Sequence, residues 1–245
     1  MSIYKKILEK KNNGKKQFSI LIDPDKQNRK ELISIVNKAT VANVDFFFVG
    51  GSLLTHDKLS ECLSIIKEST HIPVILFPGS TMQMNERADG ILFLSLISGR
   101  NPEMLIGNQV VAAPILKQLS LEIISTGYML IDSGQETTVS YISNTKPIPY
   151  YKDDIAKCTA IAGEMLGFNT IFMDGGSGAI NSISESMIST VKKSIDIPLI
   201  VGGGIKNGIQ ASAKCKAGAD IIVVGNAIEN NKEIISDIAN AIHNC

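Results

Sequence analysis

The sequence predicts a (β/α)8 barrel, and three observations carry that prediction. Eight apolar runs alternate with segments of helical periodicity along the 245 residues, a pattern that belongs to parallel α/β folds. Most of the runs are apolar throughout, as strands covered on both faces must be, where a strand with one wet face would alternate. Glycine turns follow several of the runs, at the strand ends where such barrels carry their chemistry. Eight strands alternating with helices favour the barrel over an open doubly wound sheet, in one domain covering residues 1–245.

Each element can be justified in turn. The lysine-rich start, MSIYKKILEKKNNGKKQ, lacks the continuous apolar segment and small-residue cleavage site of a secretory signal, and reads as a first amphipathic helix. Strands are expected at 18–23, 44–49, 74–77, 90–94, 122–131, 170–173, 198–201 and 220–224. Helices are expected between them at 30–40, 58–69, 153–166, 184–194, 209–217 and 232–243. One connection breaks the rhythm. Between Phe77 and Gly90 the chain opens with Pro78-Gly79, and a crossover helix with its two loops needs about a dozen residues or more. The third barrel helix is therefore expected to be replaced by a loop. A groove should then lie open there, bordered by the second and fourth barrel helices.

Composition narrows the function. Lys plus Arg and Asp plus Glu both number 24, so no overall field attracts nucleic acid or an anionic membrane, and any anion must be bound locally. No run approaches the roughly 18 apolar residues of a membrane span, which leaves peripheral contact as the most to expect. Cys62, Cys158, Cys215 and Cys245 form no C-x-x-C pair and read as small thiols in a reducing compartment, the cytoplasm. His56, His71 and His243 have no metal-ligand spacing.

The chemistry gathers at the strand ends. "IVGGGIKNG" (200–208) and "VVGNAIEN" (223–230) end the seventh and eighth strands. Glycines let backbone N–H groups approach an anion, the following helix adds its positive end, and loops seven and eight are a frequent phosphate site in barrels. Gly203, Gly204, Gly225 and Asn226 are the candidate phosphate residues; the plainer reading makes Gly202 to Gly204 a simple turn. "DGGSGAINS" (174–182) ends the sixth strand on the same rim. There Ser177 and the amides of Gly175, Gly176 and Gly178 can hold a small polyol phosphate, and Asp174 can accept the proton of a substrate hydroxyl. A helix-capping Asp is the alternative. At the first strand end, Asp23 of "ILIDPDKQN" faces a choice between an Asx turn and a magnesium site. A diphosphate would complete the magnesium coordination, and Ser52 of "VGGSLLT" lies at the neighbouring strand end.

Taken in order, "LIDPDK", "GGSLLT", "SLISGRNPEMLIG", "TGYMLIDSG", "GSGA", "VGGGI" and "VVGNAIE" resemble the geranylgeranylglyceryl phosphate synthases over nearly the whole chain. The resemblance implies a modified (β/α)8 barrel whose third helix is a loop. It also implies magnesium-dependent transfer of a geranylgeranyl group from geranylgeranyl diphosphate to the C3 hydroxyl of sn-glycerol 1-phosphate, forming an ether-lipid precursor. By the same resemblance Asp23 and Ser52 match the metal positions, and Phe172, Met173, Asp174, Gly175, Gly176, Ser177 and Gly178 match the glycerol phosphate segment. Gly203, Gly204, Gly225 and Asn226 match the phosphate grip, and Tyr128 lies beside the glycerol and joins Asp174 as a catalytic candidate. The family commonly reads Tyr-Leu-Glu where this chain has Phe172-Met173-Asp174, which removes a hydroxyl and shortens the acid by one methylene. A homo-oligomer is expected. Two other classes compete: a barrel isomerase or lyase acting on a phosphorylated sugar, which needs no groove for a prenyl chain, and a non-catalytic phosphate-binding protein.

Overall fold

Alternate residues along each strand face opposite sides of a closed, all-parallel cylinder. The computed structural model describes residues 2–245. Its strands are β1 (Gln17–Ile22), β2 (Phe46–Val49), β3 (Val74–Leu76), β4 (Gly90–Leu96), β5 (Glu122–Leu130), β6 (Thr170–Asp174), β7 (Leu199–Gly202) and β8 (Ile221–Val224). β1 closes on β8 with Gln17 opposite Ile221 and Ile20 opposite Val224. Phe46, Phe48, Ile75, Ile124, Phe172 and Ile200 fill one core, and their chain neighbours Phe47, Val49, Leu76, Ile171, Met173 and Val201 belong to another. The first is the barrel interior and the second the layer beneath the helices. Burial on both faces is why the strands read as unbroken apolar runs.

The end of the barrel opposite the strand termini is built for stability. The amphipathic α1 (Ile3–Asn12) plugs it, with Ile3 and Ile7 in the interior core. The Glu122 carboxylate accepts the Ile3 and Tyr4 N–H groups at 2.5 and 2.8 Å. Asp45, Asp89 and Asp220 each accept, at 2.8 Å, the N–H of Phe18, Val74 and Leu199 respectively. These carboxylates satisfy donors that the sheet leaves unpaired at strand starts, so their occupation is structural.

The helices α2 (Arg29–Val41), α3 (Leu59–Ser69), α6 (Asp153–Met165), α7 (Glu185–Lys192), α8 (Gly208–Ala217) and α10 (Ile234–His243) stand where periodicity placed them. Asn28 starts α2 through a reciprocal capping box with Glu31. Three further helices escape the periodic pattern. α4 (Asn108–Leu116) follows a single π-helical turn, Glu103–Gly107, holds Pro114, and leaves Val110, Val111 and Ile115 exposed, so it has no clean apolar stripe. α5 (Thr138–Ser143) and α9 (Asn226–Asn230) are too short to show a period.

Between β3 and β4 the chain forms a loop with no helix, as the short connection requires. The groove beside it departs from expectation in one respect. It is lined by this loop, β4, α4 and α5, and no residue of α3 reaches it. The loop itself closes that side, because Gln83 is buried and Met84 packs on the helix-side core.

Candidate active site

Two cavities open at the strand ends. The polar one is a cradle of about 540 Å³ lined by Phe172, Asp174, Gly176, Ser177, Gly178, Gly203, Gly204, Gly225 and Asn226, with Leu21 beneath. Sheet register builds it: Asp174 lies opposite Gly202 across β6 and β7, and the Gly175 N–H donates to the Gly202 carbonyl at 3.1 Å. Gly203 has φ +86°, and a Cβ there would stand 2.7 Å from the Gly175 nitrogen and 3.0 Å from Asp174 Oδ1. Only glycine satisfies that fit. The Ser177 hydroxyl donates to Asn226 Oδ1 at 3.1 Å and ties the β6 loop to α9. Lys206 also lines the cradle and is, among the described residues, its one cation. Sequence reading passed over it, although it directly follows the glycine turn in "GGGIK".

Asp174, only 9 % exposed, marks the edge of the cradle. The Tyr128 hydroxyl donates to its Oδ2 at 2.6 Å, and the Gly176 N–H donates to its Oδ1 at 2.8 Å. Burial pushes the Asp174 carboxyl above its usual range, against the opposing pull of those two donors. Burial first, then the neighbouring Asp174 charge, hold the Tyr128 phenol well above its ordinary value. Tyr128 is therefore held as a donor to the Asp174 carboxyl.

The second cavity is apolar. Tyr128 lines it together with Phe77, Leu94, Leu96, Ala112, Leu116 and Val139. Phe77 stacks on Phe172 with centroids 5.1 Å apart, and Tyr128 meets Phe172 edge-on at 5.6 Å. This aromatic wall separates the groove from the cradle, and the Tyr128–Asp174 hydrogen bond bridges the two.

Gly51, Ser52 and Gly79 line the groove as well. Asp23 lies close by: a Cβ on Gly51 would come within 3.4 Å of its Oδ2. Asp23 Oδ1 accepts the Asp25 N–H at 3.0 Å, so the Asx turn is real, while Lys26 Nζ stands 3.7 Å from Oδ2 and 3.2 Å from Glu229. One carboxylate and one hydroxyl, both hard oxygen donors beside a position that lacks a side chain, fit magnesium, which binds few protein ligands and completes its shell with phosphate oxygens and water. Among the described residues no group of three or more His, Cys, Asp or Glu could hold a metal.

A model of the PcrB family covers residues 8–242. The chain belongs to the PcrB family. Two PcrB relatives named geranylgeranylglyceryl phosphate synthase, from Chitinophaga pinensis and Spirosoma linguale, are 55 % and 48 % identical. The first alignment covers 98 % of this chain and 96 % of the relative, the second 95 % and 93 %. The crystal structure of (S)-3-O-geranylgeranylglyceryl phosphate synthase from Thermoplasma acidophilum, in complex with its substrate sn-glycerol-1-phosphate, superimposes with a TM-score of 0.94. It is 34 % identical, over 100 % of both chains.

Within this PcrB barrel the sequence candidates divide by location. Phe172, Asp174, Gly176, Ser177, Gly178, Gly203, Gly204, Gly225 and Asn226 share the cradle, Tyr128 and Ser52 line the groove, and Asp23 stands beside Gly51. Met173 goes elsewhere: its side chain is fully buried in the core beneath the helices. Gly175 does not line the cradle either; its amide is taken by Gly202. Strand alternation explains Met173, since the inward neighbours Phe172 and Asp174 force it outward.

Proposed function

We propose that this chain transfers a geranylgeranyl group from geranylgeranyl diphosphate to the C3 hydroxyl of sn-glycerol 1-phosphate. The observation that carries the reading is the Tyr128–Asp174 hydrogen bond, which joins an apolar groove to a polar cradle at one buried carboxylate. The groove suits a prenyl chain and the cradle a small polyol phosphate. A sugar-phosphate isomerase or lyase would need the cradle alone. We read residues 1–245 as one domain acting in the cytoplasm. The described residues contain no helix long and apolar enough to cross a membrane. Exposed Ile106, Val110, Val111 and Ile115 are surfaces that a second copy of the chain would cover.

In this reading the N–H groups of Gly203, Gly204, Gly225 and Asn226 hold the phosphate with Lys206, and Ser177 orients the glycerol. The C3 oxygen attacks prenyl C1, the C1–O bond to diphosphate breaks with its electron pair leaving on the diphosphate, and Asp174 accepts the hydroxyl proton. Tyr128 keeps Asp174 aimed by donating to Oδ2. Magnesium, held by Asp23 and Ser52, would neutralise the diphosphate leaving group.

The deciding experiment incubates the protein with magnesium, prenyl diphosphates of several lengths and each enantiomer of glycerol phosphate, and identifies products by mass. The expected product is the ether of the 1-phosphate, with the 3-phosphate a poor acceptor, because attack geometry tolerates little displacement. Equal rates for the two enantiomers, or no ether at all, would overturn the reading. Asp23→Asn is expected to abolish most magnesium-dependent turnover while leaving thermal stability near the parent's, since a residue at this rim adds little to the core. Full magnesium-dependent activity in that variant would remove Asp23 from the site.

A further inference from the structure

The loop that stands in place of a helix between β3 and β4 is clamped to the chain just ahead of Ser52. Gln83 within it is 4 % exposed, although its side chain is a primary amide. That amide grips the Gly51 peptide from both sides: Nε2 donates to the Gly51 carbonyl at 2.8 Å, and Oε1 accepts the Gly51 N–H at 3.3 Å. A donor and an acceptor on one rigid plane, both used on one residue, hold it against rotation as well as displacement.

The backbones are pressed together on either side of this clamp. A Cβ on Gly79 would stand 2.3 Å from the Gly51 carbonyl oxygen and 2.7 Å from Ser52 Cα, and one on Gly50 would stand 2.1 Å from the Phe77 carbonyl oxygen. On its other side Gly51 faces the Asp23 carboxylate, 3.4 Å from where a Cβ would lie. The loop backbone thus lies directly on the Gly50–Ser52 segment, whose far side faces Asp23 and Leu54, and Gln83 is the pin.

We infer that Gln83 is a positioning residue for the cation at the diphosphate end of the groove: it sets the distance between Ser52 and Asp23 by fixing the peptide that leads into Ser52. The inference rests on the magnesium reading of Asp23 and Ser52 given above. It also gives the helix-replacing loop a second task besides leaving room for the chain, because a helix in that place would not bring its backbone onto Gly51.

The test titrates the full-length protein with magnesium in the presence of inorganic pyrophosphate, by calorimetry, and separately with sn-glycerol 1-phosphate. Gln83→Met keeps the length and apolar burial and removes both bonds. Loss of a partner behind a metal ligand typically weakens metal affinity by about 10- to 100-fold, and that loss is expected here with glycerol phosphate affinity unchanged. In turnover the variant should need more magnesium and show a raised KM for the prenyl diphosphate, with the rate recovered at high magnesium. Gln83→Glu, which keeps the bond from the Gly51 N–H, serves if the methionine variant folds poorly, and should also weaken magnesium–pyrophosphate binding. Should Asp23→Asn and Ser52→Ala weaken that binding while folded Gln83 variants match the parent, Gln83 is a structural clip and the inference fails. If Asp23→Asn and Ser52→Ala themselves bind as the parent does, the magnesium reading fails first and takes this inference with it.

Discussion

Asp174→Asn is expected to lower turnover by about a hundredfold to ten-thousandfold, the usual cost of losing a general base, while the protein folds and still binds glycerol phosphate. The substitution keeps an oxygen to accept the Gly176 N–H and turns an NH2 toward Tyr128, whose hydroxyl can accept as well as donate, so both contacts can persist while the charge is removed. Stability should not suffer. Burial raises the folded pKa of Asp174 above its unfolded value, so the folded protein holds the proton more tightly, and ionisation costs stability as pH rises through the folded pKa. An uncharged Asn escapes that cost at neutral pH. For the same reason the acid limb of the parent's kcat/KM profile should lie above the ordinary carboxylate range and disappear from the residual activity of the Asn variant. Asp174→Glu should retain activity, since the cradle beside Asp174 has space for one more methylene and the longer acid still reaches the substrate oxygen. If the Asn and Glu variants both turn over like the parent, Asp174 merely anchors the glycine turn, and the proton leaves by water or the diphosphate.

Gly203→Ala is expected to damage binding and folding together. A Cβ at φ +86° is strained in itself, and here it meets the Gly175 nitrogen at 2.7 Å, the Gly175 Cα at 2.8 Å and Asp174 Oδ1 at 3.0 Å. Backbone strain of this kind costs about 1–3 kcal/mol, to be read from chemical denaturation. Relief of the contact must displace the Gly203 amide or the Asp174 carboxylate, and a shift of about 1 Å at a reacting group can cost a hundredfold in rate. The KM for glycerol phosphate should rise and kcat should fall with it, while binding of magnesium with pyrophosphate stays as in the parent. A variant that is destabilised but unchanged in KM would mean that Gly203 serves only to turn the chain.

The legible parts of this protein were those whose signal is local. Val201 and Val224 precede glycine turns in the sequence as they do in space, and the strand runs are apolar because both of their faces are covered. The absent helix between Phe77 and Gly90 could be read from the short connection and the Pro78-Gly79 that opens it. α4 could not, because Pro114 and its exposed valines break the helical stripe, and neither could Lys206, whose neighbours drew attention as glycines.

What the sequence by itself determined is the barrel, its order of strands and the strand ends where carboxylates and glycines gather, since period, turn residues and spacing are properties of neighbours along the chain. Only the tertiary structure decided which of those residues meet. Tyr128 and Asp174 are 46 residues apart, and Gln83 and Gly51 are 32 apart. Their contacts depend on the register of β5 against β6 and on a loop folding back over β2 and β3, and a slip of one residue would turn Asp174 outward and Met173 inward. The register places a buried acid between an apolar groove and a polar cradle, a relation set by packing across the barrel and written at no single stretch of the chain.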